Sequence, residues 1–197
     1  MTYKIAHISD THIRNLKYHE EYRQVFRHLY SVLRKEKPDY IVHCGDIAHT
    51  KTQLSPEYFA MTSDFLKNLA DIAPLVLILG NHDGNLKNEN REDAISPIVQ
   101  ALNHKNITLL KDSGEYSPEL GLTFNVLSVF DRERWNKPST PSAVNIALYH
   151  GSIGGSLTST GWALTHAEDE ATIFADHDYA MLGDIHKTQL LDKDKRV

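Results

Sequence analysis

The chain has 197 residues, 41% of them hydrophobic and 24% charged, and its 21 Lys and Arg against 26 Asp and Glu leave a formal net charge of −5. That length can bury a substantial core within one domain, and the negative balance excludes any global attraction to nucleic acid, so a phosphate polymer could be held only through bound cations or a local patch. The single cysteine, Cys44, excludes an internal disulfide, and with no apolar run near the roughly 20 residues of a spanning helix the expected location is the cytoplasm.

In chain order, YKIAHIS (3–9) has the content of a strand, and Tyr22, Val25, Phe26, Leu29, Tyr30 and Leu33 then recur at helical spacing until Pro38 ends the pattern. YIVHC (40–44) reads as a second strand, with Cys44 a buried structural thiol. Ser55 before Pro56 and Glu57 has the form of a helix N-cap, and Phe59, Thr62, Phe65, Leu66 and Leu69 supply the apolar stripe of a second helix. LVLIL (75–79) is a third strand. A helix from about Ile95 to Asn103, strands at Ile107–Leu110, Leu122–Phe130 and Val144–Tyr149, and a strand ending at Leu182 complete the series, with no repeat and no low-complexity linker.

Near-continuous apolar strands alternating with helices define an α/β protein with a largely parallel sheet, whose strand exits should line a common crevice. Those exits share a composition. After the first strand come Asp10 and His12; after the second, Asp46 and His49; after the third, Asn81, His82 and Asp83 in GNHDG; after the strand ending at Tyr149, His150; and after the last, Asp184 and His186. Any one of these is an ordinary turn, because Gly, Asp and Asn form turns. Turn chemistry gives no reason for a histidine at all of them, whereas metal binding does. Oxygen and imidazole donors without thiolates suit Mn, Fe, Zn or Mg, and a pair of cations about 3.5–4 Å apart needs a bridging carboxylate plus further donors on each side, which this set can supply.

The succession D-x-H, G-D-x-x-H, G-N-H-D, a lone H and the closing GDIH resembles the calcineurin-like metallophosphoesterases, over almost the whole chain. Within that superfamily, GDIAHTKTQLSPEYF, PLVLILGNHDG, LYHGSI and DYAMLGDIHKTQLL are most similar to the nuclease subunit of the SbcCD complex and its double-strand-break-repair counterparts. The resemblance implies a four-layer αββα sandwich, in which the second sheet need not be complete in this chain. It implies a single nuclease domain over 1–197, without the capping and ATPase-binding segments of that branch.

It further implies that Asp10, His12 and His186 hold one metal, that Asn81 and His150 hold the other, and that Asp46 bridges them. His82 would donate a proton to the leaving oxygen, Asp83 would orient its ring, and His49 would lie close to the substrate phosphate; a histidine's ordinary titration near neutrality suits a general acid. Where the family's last motif has histidine, this chain has Asp184, which position alone assigns to the second metal. The implied cofactors are two divalent ions, Mn²⁺ foremost, with Mg²⁺, Fe²⁺ and Zn²⁺ as alternatives. The implied activity is hydrolysis of DNA phosphodiesters in repair or recombination, with an SbcC-like ATPase as partner if the natural protein is longer, and with homodimerisation left open. A phosphoesterase acting on a small molecule or phosphoprotein, and a non-catalytic scaffold, are the alternatives; the filled ligand positions and His82 disfavour the scaffold.

Other stretches carry weaker signals. His7 and His43 lie inside strands and read as core or sheet histidines, while His19, His28, His104, His166 and His177 fall on helices or loops and read as solvated. Gly151–Trp162, rich in Gly and Ser, is either a mobile loop over the site or a plain connector. RERWNK around Trp135 mixes an aromatic with Arg132, Arg134 and Lys137, a composition that fits either nucleic-acid contact or a solvated turn.

Overall fold

Capping and apolar spacing decide the helices. In the computed structural model, which describes residues 2–88, 91–139, 143–194 and 196–197, α1 runs His19–Glu36 and buries Phe26, Tyr30 and Leu33 along one stripe. It ends at Lys37, whose left-handed backbone lets its N–H reach the Leu33 carbonyl oxygen, and Pro38 prevents continuation. Helix α2, Pro56–Ala70, starts as the sequence predicts: the Ser55 hydroxyl accepts from the Tyr58 N–H at 3.2 Å, with Pro56 in the first turn. The rings of Phe26 and Phe65 stack at 4.2 Å and join the two helices. Phe65 is fully buried, so its truncation to Ala should cost about 3–5 kcal/mol.

The residues fall into two compact units, Met1–Leu110 and Lys111–Val197. The first unit carries a parallel sheet in the order β1 (Ile5–Ile8), β2 (Tyr40–Cys44), β3 (Leu75–Ile78) and β4 (Ile107–Leu110). Helix α3, Ser96–Leu102, precedes β4. Central strands β2 and β3 are buried at every position, whereas the edge strands are only partly covered. His43 on β2 is accordingly a core residue, but His7 on edge strand β1 is exposed.

The second unit holds the sheet β5 (Gly114–Glu119), β6 (Leu122–Leu127), β7 (Val144–His150) and β8 (Tyr179–Gly183). Strands β6, β7 and β8 are parallel, and β5 is antiparallel to β6. One face packs Leu127, Ala147 and Tyr149 against Ile153 and Phe174 from the segment after β7. Strand β5 is absent from the sequence reading. GEYSPE is polar and contains Pro118, which as a central strand would be disqualifying; here it lies on the sheet edge beside a register shift between Tyr116 and Glu119, where a missing N–H is tolerated. Among the described residues the fold is thus α/β, with two four-stranded sheets and helices.

Candidate active site

In the first unit the pairing of β1 with β2 continues past the strand ends. The N–H groups of Asp10, His12 and Ile13 donate to the carbonyl oxygens of Gly45, Asp46 and Ile47 at 3.0, 3.0 and 2.8 Å, and His49 N–H donates back to Ile13 at 3.1 Å. Holding this register requires left-handed backbone at non-glycine residues: φ is +55° at Asp10, +45° at His12 and +55° at Asp46. Aspartate and histidine are both among the non-glycine residues that enter that region more readily than most, and such strain persists where surrounding structure over-determines it. The result converges side chains of the two exits. His12 Nε2 lies 3.8 Å from Asp10 Oδ1 and 3.6 Å from Asp46 Oδ2.

The third exit joins them. Asp46, 1% exposed, accepts the His82 backbone N–H at Oδ1, 2.8 Å away, and its carboxylate occupies the space where a side chain at position 80 would stand, which is why that position is glycine. One ring nitrogen each from His12, His49 and His82 can be chosen so that all three lie within 4.8 Å of one another. Two donors bound to one cation at about 2.1 Å can be no more than about 4.2 Å apart, so His12 Nε2 falls within the span of one cation with Asp10 Oδ1 and, separately, with Asp46 Oδ2. The donor set of oxygen and imidazole fits a hard or borderline divalent ion.

The His82 ring and the Asp83 carboxylate each meet backbone groups. His82 Nδ1 lies 2.8 Å from the His49 carbonyl oxygen. A carbonyl can only accept, so Nδ1 carries the proton and Nε2 is the nitrogen left for chemistry. Asp83 is fully buried, and its carboxylate accepts the backbone N–H groups of Ala48 at 2.8 Å, Gly80 at 3.0 Å and Ile47 at 3.3 Å. The orienting group for the His82 ring is thus the His49 carbonyl, and Asp83 clasps the β2 and β3 exits to each other. Burial together with the charges of Arg14 and His82 holds the His49 imidazole below its usual pKa, against an opposing pull from Asp46.

Three supporting residues escaped the sequence reading. Arg14 acts on His49 through its charge. Tyr22, read there only as part of a helical stripe, donates its hydroxyl to the His12 carbonyl at 2.6 Å. Lys51 Nζ donates to the Asn81 carbonyl at 2.7 Å and ties the β2–α2 loop to the β3 exit. None has a local sequence signature, because each acts across a distance in the chain.

In the second unit, His150 ends β7 with 2% exposure. Its Nε2 lies 4.0 Å from Asp184 Oδ1 in the turn after β8, so these two also fall within the span of one cation. Asp184 shares the left-handed backbone of the other candidate carboxylates, at φ +73°. His186 follows two residues later and is exposed.

Other expectations are corrected by contacts. Trp135 is a packing residue: its Nε1–H donates to the Ser128 carbonyl at 2.7 Å, its ring meets Tyr149 edge to face, and Arg132 lies over it at 5.0 Å. Arg132 itself is engaged by Glu168 at 2.7 Å and Asp169 at 2.8 Å, and Lys137 by Asp176 at 2.9 Å, while the charged residues of this stretch remain exposed. His177 is buried rather than solvated, accepting from Asn125 Nδ2 at 3.0 Å. Cys44 is fully buried and its thiol is pushed far up by desolvation, as befits a structural residue.

Compared with known proteins, residues 3–188 match a family model described as calcineurin-like phosphoesterase. An uncharacterized protein of Acanthamoeba polyphaga mimivirus is 41% identical over 207 aligned positions, covering 98% of this chain; the chain spans 15% of that relative's length. The crystal structure of the Pseudomonas putida nuclease MPE aligns with 74% of this chain and 59% of its own, at 19% identity and a TM-score of 0.39.

Proposed function

From this chain's membership of the calcineurin-like phosphoesterases, a family of metal-dependent phosphoesterases, we propose that it is a two-metal phosphodiesterase whose substrate is DNA. The observation that carries the chemistry is the convergence of His12 with Asp10 and Asp46, at 3.8 and 3.6 Å, beside the rings of His49 and His82. The proposed ligands are Asp10, His12, Asp46 and Asn81 in the first unit and His150, Asp184 and His186 in the second. When bound, two divalent cations supply Lewis acidity, charge neutralisation at the phosphoryl oxygens and a water acidic enough to attack at neutral pH.

The chain's own residues supply the rest. His82, with Nδ1–H committed to the His49 carbonyl, presents Nε2 as the atom that delivers a proton to the leaving oxygen. His49, biased towards its neutral form, offers a hydrogen bond to a phosphoryl oxygen without competing for the proton. Arg14 adds positive charge beside it. The DNA substrate is supported by the motif resemblance to SbcD-type nucleases, which also brings the proposal of an SbcC-like ATPase partner if the natural protein is longer.

Two assays test this. Hydrolysis of an aryl phosphodiester should require added Mn²⁺ and cease on chelation; full activity after exhaustive chelation would end the metal proposal. Linear duplex DNA should be cut in Mn²⁺; hydrolysis of aryl diesters or nucleotides with DNA left intact would move the reading to a small-molecule phosphoesterase.

A further inference from the structure

The stretch after His150 is hydrogen-bonded into a short hairpin. Gly155 N–H and Leu164 N–H donate to the carbonyl oxygens of Leu164 and Ser156 at 3.0 and 2.8 Å, and Leu157 bridges Ala163 antiparallel. Its tip closes on Thr158, whose N–H donates to the Trp162 carbonyl at 2.8 Å while its hydroxyl accepts the Trp162 N–H at 3.2 Å. Gly161 takes the left-handed backbone, φ +89°, that this turn needs. A second anchor comes from Gln189, three residues past His186: its side-chain amide accepts from Leu157 N–H and donates to the Leu157 carbonyl, both at 2.8 Å. The hairpin therefore grows from one proposed metal ligand and is clamped by the segment that follows another.

What this frame presents is Trp162, 77% exposed. The side chain is large, apolar and held out on a backbone whose polar groups are already satisfied, so ordering it for a partner costs little further entropy. The tip, Leu157–Ala163, contains no charged residue, which argues against a phosphate grip and leaves a flat π face flanked by hydroxyls. We propose that Trp162 is a stacking platform for a nucleobase of the DNA strand whose phosphodiester is being cut. This rests on the DNA reading above and adds to it a contact with the base. Such stacking accepts every base and needs no positive charge, which suits a chain of net charge −5.

The chain's two tryptophans make a direct test. Trp135 is half-buried and hydrogen-bonded, so a change in the red-shifted emission of an exposed indole reports Trp162. In a His82→Asn background that leaves the strand uncut, titration with an oligothymidylate of about 15 nucleotides in Mn²⁺ should quench that emission. Trp162→Ala should abolish the quenching and weaken binding roughly 5- to 150-fold, the equivalent of about 1–3 kcal/mol. Trp162→Phe should retain most of the affinity. Because no phosphate contact is lost, the slope of log Kd against log salt should stay the same. Far-ultraviolet circular dichroism and the thermal midpoint of Trp162→Ala should match those of the parent, which establishes that the fold is intact.

Unchanged oligonucleotide affinity in Trp162→Ala, with binding by the parent intact, overturns the stacking role and leaves the DNA reading standing. A parent that hydrolyses aryl diesters but binds no oligonucleotide overturns both. Loss of self-association in Trp162→Ala, seen by sedimentation with oligonucleotide binding unaltered, would assign the tip to a protein interface instead.

Discussion

The Nδ1 atom of His82 lies 2.8 Å from the carbonyl oxygen of His49, so the backbone of one strand exit sets the tautomer of the side chain on another. The same two rings stand 6.0 Å apart, close to parallel. Fixing Nδ1–H leaves Nε2 as the proton-transfer atom. His82→Asn should therefore slow turnover about 10²- to 10⁴-fold on a diester with a poor leaving group and much less on one with an activated aryl leaving group. Calorimetric titration should find Mn²⁺ affinity nearly unchanged. A loss of bound metal equal to the loss of rate would make His82 a ligand.

Gly80 and Asp46 form a second dependency. Any Cβ at position 80 would overlap the Asp46 carboxylate and backbone nitrogen, and the carboxylate is also held by the His82 N–H. Gly80→Ala should displace Asp46 and lower Mn²⁺ affinity roughly 10- to 100-fold, the usual cost of disturbing a group that supports a metal ligand. Native metal affinity in a folded Gly80→Ala protein would remove Asp46 from the ligand set.

Asp184 stands where the family pattern has histidine, and its Oδ1 lies 4.0 Å from His150 Nε2. A carboxylate in place of an imidazole removes one positive charge from the proposed set and favours harder ions. Asp184→His should weaken Mn²⁺, improve the use of Zn²⁺ and move the alkaline limb of the pH–rate profile to lower pH. Asp184→Ala should lower the metal count from two, read by anomalous scattering; two fully occupied sites in that variant would reduce Asp184 to a turn residue.

His177 predicts a pH dependence of stability. Burial holds its imidazole below the ordinary value of 6.5, only partly offset by the Phe174 backbone and by Asp176, Asp178 and Glu115, and Asn125 Nδ2 donates to its Nε2. The unfolded chain then binds the proton more readily than the native one, so stability is complete above about pH 6.5 and declines as the pH falls from there towards the lower folded value. The urea midpoint should drop between pH 7.5 and pH 5, and His177→Gln should flatten that part of the profile. An unaltered profile in the variant would place the acid-sensitive group elsewhere.

Local chemistry was enough to read the helices and the donors. Ser55, Pro56 and the α2 stripe specify their helix within a single turn or two of chain, and apolar runs broken by Gly, Asp and His mark strand exits, because burial on both faces and the tight turns after it are encoded by neighbouring residues. The candidate ligands were legible for the same reason. Only the tertiary structure decided what depends on a distant partner. GEYSPE becomes β5 through a sheet edge that tolerates Pro118. Asp83 spends its carboxylate on the N–H groups of residues 47, 48 and 80, and Trp135 becomes a packing residue because Ser128, Tyr149 and Arg132 surround it. Hydrogen-bond partners and burial belong to pairs of residues far apart in the chain, and the identity of one member does not specify the other.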